Sequence, residues 1–248
     1  MIDVNTELMI AKKAALQAGN YLLHNKLNIK TPLISTEKDI KIEADIGSEK
    51  IIKDLLSNHS NIKILAEESG MSSDDDSDIF WVVDPLDGTA NYLRDIPICC
   101  VSIALISNLQ PILGVIFDFN NNELYEGSIK TQALMNEEII SVSNIAKSNE
   151  GILITGLPNN TDYTDNALEN MIKGFQEWRK VRMIGSAALA SAYIASGKAD
   201  VYMENKTYLW DVAAGAAIVN AAGGEALIVN QNEKFQVDVC FSNSLIKI

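Results

Sequence analysis

A short apolar run that ends in two aspartates constrains the fold more than any other feature of this 248-residue chain. Residues 80–83, Phe-Trp-Val-Val, have the character of a buried strand, and the sequence DPLDG of residues 84–88 follows directly. Pro85 cannot donate a hydrogen bond to a neighbouring strand, and Gly88 can adopt backbone conformations that other residues resist. Since ligands in α/β folds bind at the carboxyl ends of strands, we expect a functional turn here.

The two aspartates of this turn pose an electrostatic problem that a cation would solve. Two carboxylates about 4 Å apart repel by about 1 kcal/mol in water and by about 4 kcal/mol at an effective dielectric constant of about 20. Asp84 could cap the turn and Asp87 a helix predicted from Thr89 to Leu93, but a cap needs only one carboxylate. The first amides of that helix would also bind a phosphate group well. The turn therefore favours a site for divalent cations, with structural caps as the alternative.

Further acids occupy comparable places elsewhere in the chain. Glu67 and Glu68 end a strand-like run, Asp211 lies at the start of a predicted helix, and Asp45 lies on another. Each has a simpler interpretation: a solvated loop for the glutamates, an N-cap for Asp211 and a surface charge for Asp45. If these acids converge on the aspartate turn, they form an all-oxygen donor set, which suits Mg²⁺ or Mn²⁺.

The composition limits the partners and the compartment. The net charge of −13 argues against nucleic acid or an anionic membrane as partner, because both bind basic surfaces. No apolar run approaches the roughly 20 residues of a membrane span, and residues 1–15 are unlike a signal peptide. Three cysteines without a CxxC pair and two histidines argue against a disulfide framework and against zinc, so a cytoplasmic location is expected. Such an acidic chain would attract a phosphorylated substrate only if bound metal ions reversed the local charge.

The remaining patterns indicate a mixed α/β chain with an antiparallel part in its first half. Apolar periodicity predicts helices over 4–23, 44–57, 165–177, the segment between Ser186 and Gly197, and 211–222. Strands are predicted over 62–65, 80–83, 100–106, 112–119, 124–125, 152–154, 181–184, 199–203 and 226–229, with a hairpin through 107–110. The polar run 72–78 predicts a solvated loop, since a calcium loop of the EF-hand type would need a glycine and a distal glutamate that are absent.

Taken together, the acidic motifs resemble those of the inositol monophosphatase family, within the lithium-sensitive, Mg²⁺-dependent phosphatases. The matching segments, in the family's order, are EADIGSE around Asp45, AEESG around Glu67, DPLDGT at 84–89, IGSAALASAYIASGKADVYME at 184–204 and WDVAAG from Trp210. The resemblance implies an α/β fold of the alternating αβαβα sandwich type. It implies one domain over 1–248, with an antiparallel α+β half at 1–140 and an α/β half at 141–248.

The resemblance also implies the metal ligands. Glu67, Asp84 and the carbonyl of Leu86 would hold one Mg²⁺, and Asp84, Asp87 and Asp211 would hold a second. Two or three ions are expected, with Mn²⁺ as a possible substitute. Glu67 is also implied as a catalytic residue, and Asp87 and Asp211 as substrate-binding residues. Glu68 would stand behind these ligands or contact a loosely held third ion.

Further residues are implied around the reacting phosphate. Thr89, paired with Asp45, would orient the attacking water, and the amides of Gly88 and Thr89 would bind the phosphate. Glu204 would contact substrate hydroxyls, with Ala187 nearby. The implied reaction is direct hydrolysis by water activated between two metals. A homodimer and sensitivity to lithium are further expectations from the resemblance.

The substrate is a separate question. The segment Gly-Thr-Ala-Asn-Tyr at 88–92 is similar to the Gly-Thr-x-Asn-Phe of inositol phosphatases, and the Lys-Glu-Phe of bisphosphate nucleotidases is absent. We therefore expect a small phosphorylated polyol or sugar, with inositol 1-phosphate first. A 3′(2′),5′-bisphosphate nucleotide, histidinol phosphate and fructose 1,6-bisphosphate stay open. A non-catalytic metal-binding regulatory protein on the same scaffold is the alternative of another class.

Other phosphatase chemistries do not fit the motif spacing. Phosphatases that form an aspartyl intermediate need two aspartates separated by one residue, whereas Asp84 and Asp87 are separated by two residues. Cysteine phosphatases need an arginine six positions after the cysteine, and neither Cys99 nor Cys100 has one.

Overall fold

The computed structural model describes residues 2–26, 29, 32–35, 40–157 and 163–247. Its helices are α1 (Val4–Asn25), α2 (Glu43–His59), α3 (Thr89–Leu93), α4 (Asp165–Gln176), α5 (Ala187–Ala195) and α6 (Leu209–Ala221). Its strands are β1 (Pro32–Ser35), β2 (Ile40–Ile42), β3 (Lys63–Ala66), β4 (Gly70–Met71), β5 (Ile79–Asp87), β6 (Cys100–Ser107), β7 (Gln110–Asp118), β8 (Glu123–Ser128), β9 (Thr131–Met135), β10 (Glu138–Ile139), β11 (Ile152–Thr155), β12 (Lys180–Arg182), β13 (Val201–Tyr208), β14 (Glu225–Val229) and β15 (Gln236–Ser242).

Two large sheets carry the fold. The first has the order β10-β9-β8-β7-β6-β5-β3-β4 and is antiparallel except between β3 and β5. The second has the order β12-β11-β13-β15-β14, parallel across its first three strands and antiparallel across the rest. The predicted hairpin through 107–110 joins β6 and β7 as expected.

Strand alternation distributes the core over both faces of the first sheet. Trp81 and Val83 pack with α1 and α2, whereas Val82 packs with α5 and α6, because successive side chains of a strand point to opposite faces. Helices α5 and α6 are apolar all round and lie between the two sheets, which is where such helices are stable. Phe175 of α4 packs on the far face of the second sheet, against Leu153. The layers therefore alternate, and the αβαβα sandwich is confirmed.

Several elements differ from the sequence prediction. The interior strand β15 was not predicted, although Val237, Val239 and Phe241 occupy alternate positions and are buried. Strand β13 continues to Tyr208, beyond the predicted end at 203, because a register shift after Glu204 carries the ladder past an irregularity. Helix α6 begins two residues before the predicted start. None of the described helices is long and apolar enough to cross a membrane.

Gly114 lets α6 approach the first sheet closely, and its replacement provides a stability test. A Cβ atom added at Gly114 on β7 would lie 2.7 Å from the carbonyl carbon of Ala214 and closer still to its oxygen. Because a helix backbone cannot move aside as a side chain can, we expect Gly114→Ala to lower the free energy of unfolding by about 2–3 kcal/mol. Gly174→Ala is the matched control: no atom lies within 4 Å of that added Cβ, and alanine in a helix should stabilise by about 0.5–1 kcal/mol. Urea unfolding of both variants measures the difference, and equal stabilities would contradict this account of the packing.

Candidate active site

A cavity of about 660 Å³ opens where β5 ends, between the two sheets. Nine of the ten predicted site residues line it: Glu67, Asp84, Leu86, Asp87, Gly88, Thr89, Ala187, Glu204 and Asp211. The tenth, Asp45, lies behind Thr89 and is hydrogen-bonded to it. The fold thus brings together ten residues that are scattered along the chain from position 45 to position 211. The roles assigned to them stay predictions.

The aspartate turn has the local structure that its sequence predicts. The pairing of β5 with β6 shifts in register between Asp84 and Asp87, where Pro85 interrupts the ladder. The Leu86 amide donates to Asp84 Oδ1 at 2.9 Å. Gly88 has φ of 87°, a value that favours glycine, and α3 begins at the next residue.

Asp45 is buried and anchored, so the surface-charge interpretation is wrong. It stands at the third position of α2 and is only 2% exposed. Its Oδ2 accepts from the Ile42 amide at 2.6 Å, and its Oδ1 accepts from Thr89 Oγ1 at 3.3 Å. Thr89 Oγ1 also lies 3.0 Å from the Leu86 carbonyl oxygen. The threonine hydroxyl is therefore fixed between α2 and the aspartate turn.

Asp87 connects the turn to the start of α5. Its Oδ2 accepts from the Ser186 hydroxyl, from the Ala188 amide at 2.9 Å and from Cys100 Sγ at 3.7 Å. Ser186 is the N-cap of α5, as predicted, and its hydroxyl also accepts from the Leu189 amide. One oxygen of Asp87 is thus occupied by donors of α5 and β6, which holds the predicted substrate residue Ala187 beside the turn.

Asp211 both caps its helix and lines the cavity. It lies at the third position of α6, where its Oδ2 accepts from the Tyr208 amide at 3.0 Å and from Thr207 Oγ1 at 2.8 Å. The structural interpretation of Asp211 as a capping residue is therefore correct in substance, although it stands two residues inside the helix. A cap on one oxygen leaves the other free of these bonds.

Glu67 and Glu68 are adjacent in sequence but have different surroundings. Glu67 lines the cavity and is exposed to it, and its amide donates to the Val83 carbonyl at 3.1 Å, which fixes it beside β5. Glu68 does not line the cavity, and its amide donates to Glu49 Oε2 at 3.0 Å. Glu67 thus lies in an exposed turn, as the solvated-loop interpretation has it, and that turn also borders the cavity.

The acids of the cavity are electrostatically crowded. Loss of hydration, and then the charges of Asp211 and Glu68, raise the pKa of Glu67 well above its usual value. Burial, and then the charges of Glu67 and Asp87, raise the pKa of Asp84 in the same way. Burial raises the pKa of Asp87 less, because Ser186 and the α5 amides donate to it. Burial is also the main reason why the pKa values of Asp211 and Glu204 rise to about 7.

No described residue that lines the cavity is basic. In the described ranges, no three His, Cys, Asp or Glu side chains already form a closed group that could hold a metal ion. The cavity is therefore an open set of oxygen donors with an excess of negative charge.

Some lining residues were not predicted. Thr155, Gly156 and Thr207 line the cavity but lie in strands or at strand ends, outside the matching segments. Tyr202 also lines the cavity and lies within the matching segment 184–204, but no role was predicted for it. Ser186 was predicted only as a helix cap. Its contact with Asp87 depends on the packing of α5 against β5, which no local pattern reveals.

Asn91 joins the two segments that form the turn and the start of α5. Its Nδ2 lies 2.8 Å from the carbonyl oxygens of Ile98 and Ile184 and 3.2 Å from that of Gly185. Asn91→Asp would place a carboxylate against these oxygens, so we expect a loss of about 2–4 kcal/mol in the free energy of unfolding. Asn205→Asp makes the same chemical change at an exposed position and should change stability by less than about 0.5 kcal/mol. Thermal unfolding compares the two, and a small loss for Asn91→Asp would contradict its bridging role.

The chain is similar over most of its length to known proteins. A family model described as the inositol monophosphatase family matches residues 3–244. Nus factor SuhB of Xylella fastidiosa is 41% identical over 219 residues, which are 87% of this chain and 79% of that protein. Inositol-1-monophosphatase of Synechocystis sp. is 35% identical over 227 residues, 90% of this chain and 78% of that protein. The solved structure of inositol monophosphatase from Anabaena (Nostoc) sp. is 32% identical, with a TM-score of 0.85 over 98% of this chain and 92% of that one.

Proposed function

Because the chain belongs to the inositol monophosphatase family, we propose that it is a metal-dependent phosphomonoesterase acting on a small phosphorylated polyol or sugar. The observation that carries the proposal is the acidic cavity, in which Glu67, Asp84, Asp87 and Asp211 meet without a basic lining residue among those described. A phosphate ester is itself an anion, so it would enter such a cavity only if cations neutralised the carboxylates.

The donor set fits Mg²⁺ or Mn²⁺. The cavity offers carboxylate and carbonyl oxygens, which hard cations prefer. Mg²⁺ usually keeps several waters and takes only one or two carboxylates from the protein together with substrate phosphate, so the open arrangement of the acids suits it. We propose that Glu67, Asp84 and the Leu86 carbonyl hold one ion and that Asp84, Asp87 and Asp211 hold another. When bound, these ions would neutralise charge on the phosphoryl group and lower the pKa of a bound water.

The chain's own residues would then orient the reactants. Thr89, held by Asp45 and the Leu86 carbonyl, presents its hydroxyl oxygen as an acceptor for the attacking water. Asp45 Oδ1 accepts from this hydroxyl and can take up the proton that passes through it. Its Oδ2 accepts from the Ile42 amide, which fixes the orientation of the carboxylate. The amides of Gly88 and Thr89 would bind the phosphate at the start of α3.

The hydroxyl side of the substrate would lie against α5 and β13. Ala187 and Glu204 line this part of the cavity, and a carboxylate such as Glu204 accepts hydrogen bonds from polyol hydroxyls. Asp87 and Asp211 complete the proposed substrate contacts. This arrangement favours inositol 1-phosphate over a phosphate ester without hydroxyl groups.

A panel of phosphate esters assayed with and without Mg²⁺ tests the proposal. The panel contains inositol 1-phosphate, fructose 1,6-bisphosphate, histidinol phosphate, 3′-phosphoadenosine 5′-phosphate and phenyl phosphate. We expect release of phosphate only with Mg²⁺ or Mn²⁺, and the highest kcat/KM for inositol 1-phosphate. Absence of hydrolysis of every ester would overturn the phosphatase proposal and leave the alternative, a non-catalytic metal-binding protein.

Two further expectations are tested on the same preparation. Inhibition by lithium is measured by adding LiCl to the assay, and a homodimer is tested by light scattering.

A second candidate function is that of a Nus factor. Several relatives, including the protein of Xylella fastidiosa described above, are called Nus factor SuhB. We propose to test it by asking whether this chain replaces SuhB in an Escherichia coli strain that lacks it. The Asp84→Asn variant should replace SuhB equally well if this function does not depend on hydrolysis. Failure of the unchanged chain to replace SuhB would count against this second function alone.

A further inference from the structure

Gly156 and Glu204 make an unusually close approach at the wall of the cavity. Gly156 follows β11, and Glu204 lies on the neighbouring parallel strand β13, one residue beyond the pair Thr155–Met203. A Cβ atom added at Gly156 would fall within 3.0 Å of Glu204 Cδ and of both its carboxylate oxygens. The Glu204 carboxylate therefore packs directly against the glycine backbone.

The backbone conformation does not explain this glycine. Gly156 is not among the glycines with positive φ, which are Gly70, Gly88, Gly185, Gly197 and Gly223, so a residue with a side chain could adopt its conformation. What the position requires is space. The absence of a side chain at 156 lets the Glu204 carboxylate occupy that volume.

The same carboxylate is held from its own strand. Tyr202, two residues before Glu204 and therefore on the same face of β13, donates its hydroxyl to Glu204 Oε2 at 3.0 Å. Tyr202 is only 1% exposed and packs edge-on against Phe241, with ring centroids 5.9 Å apart. Glu204 is thus positioned between a rigid phenol and a bare backbone.

We infer that Gly156 is a positioning residue that determines specificity for hydroxyl-bearing phosphate esters, because its missing side chain sets where the Glu204 carboxylate meets the substrate. The inference rests on the proposed function and adds to it a residue outside the matched motifs. An added methyl group would displace Glu204 from the hydroxyl side of the cavity while leaving the acids around the aspartate turn in place. A site built to hydrogen-bond hydroxyls discriminates strongly through such contacts.

The test compares two substrates and measures the ratio of their kcat/KM values. Inositol 1-phosphate carries hydroxyls next to the ester, and phenyl phosphate carries none. For Gly156→Ala, we expect the ratio of kcat/KM for inositol 1-phosphate to that for phenyl phosphate to fall by about tenfold or more. Tyr202→Phe removes the phenol donor without adding volume and should lower the ratio in the same direction. Gly174→Ala, the control in α4, should leave the ratio at the wild-type value.

A double-mutant comparison separates positioning from general damage. In Glu204→Ala, the three atoms nearest to an added Cβ at 156, the Glu204 carboxylate carbon and oxygens, are gone. Gly156→Ala in that background should therefore change the ratio by less than about twofold, since the two substitutions act through one carboxylate. This readout remains interpretable even if Gly156→Ala alone lowers the melting temperature, because the ratio compares two substrates on the same folded enzyme.

The outcomes differ for the inference and for the proposed function. A wild-type ratio in Gly156→Ala, or equal losses with and without the Glu204 side chain, would overturn the inference while leaving the phosphatase intact. Absence of hydrolysis of both esters by the unchanged chain would overturn the proposed function and the inference with it. A selective loss that disappears in the Glu204→Ala background would support both.

Discussion

Asp84→Asn should lower Mg²⁺-dependent hydrolysis by about 10³-fold or more. Asp84 is the acid proposed to contact both metal ions, and loss of a bridging carboxylate removes charge stabilisation where negative charge develops. The fold should survive, because an asparagine Oδ1 can still accept the Leu86 amide that closes the turn. The measurement is kcat/KM for inositol 1-phosphate over a range of Mg²⁺ concentrations.

Asp54→Asn is the matched control for this prediction. Asp54 is exposed on α2, so its replacement makes the same charge change away from the cavity and should leave kcat/KM within about twofold. Circular dichroism of both variants establishes that they are folded. Near-native turnover in Asp84→Asn would remove the proposed site, since Asp84 is the acid proposed to contact both ions.

The second large effect concerns stability as a function of pH and metal. The pKa values of Asp211 and Glu204 rise to about 7 in the folded chain, from ordinary values of 3.8 and 4.5, and burial is the first cause for both. Between about pH 4 and pH 7 the folded state therefore binds more protons than the unfolded state. The free energy of unfolding must then fall as the pH rises through this window.

We expect the metal-free protein to melt at least about 4–8 °C lower at pH 8 than at pH 5, which corresponds to about 2 kcal/mol for a chain of this size. Addition of millimolar MgCl₂ at pH 8 should reverse the loss in a concentration-dependent way, because the ions bind the folded state. The same addition at pH 5 should have a smaller effect, since protonated carboxyls are poor ligands.

Two controls separate specific binding from screening. KCl at the same ionic strength screens charges without occupying a divalent site and should raise the melting temperature less. Asp84→Asn removes one of the repelling acids, so without metal it should be more stable than the unchanged chain at pH 8 and should respond less to Mg²⁺. A melting temperature at pH 8 that ignores Mg²⁺ would count against the metal site even if hydrolysis were observed.

Local features of the fold followed from local sequence. The turn at 84–88, the start of α3 at Thr89 and the Ser186 cap of α5 all rest on contacts within a few residues, so proline, glycine and serine reveal them directly. The strand β15 was overlooked although its alternation is visible, and α6 begins earlier than predicted because Leu209 and Trp210 join its first turn.

The sequence by itself determined the donor chemistry and the layered α/β pattern, because residue type and apolar periodicity are properties of the chain. Only the tertiary structure decided that Asp45 is buried behind Thr89, that Asp87 is bound by Ser186 and that Gly156 makes room for Glu204. These contacts join residues 44 to 99 positions apart or lie across two paired strands. Their geometry depends on sheet register and helix packing, which no local stretch of sequence encodes.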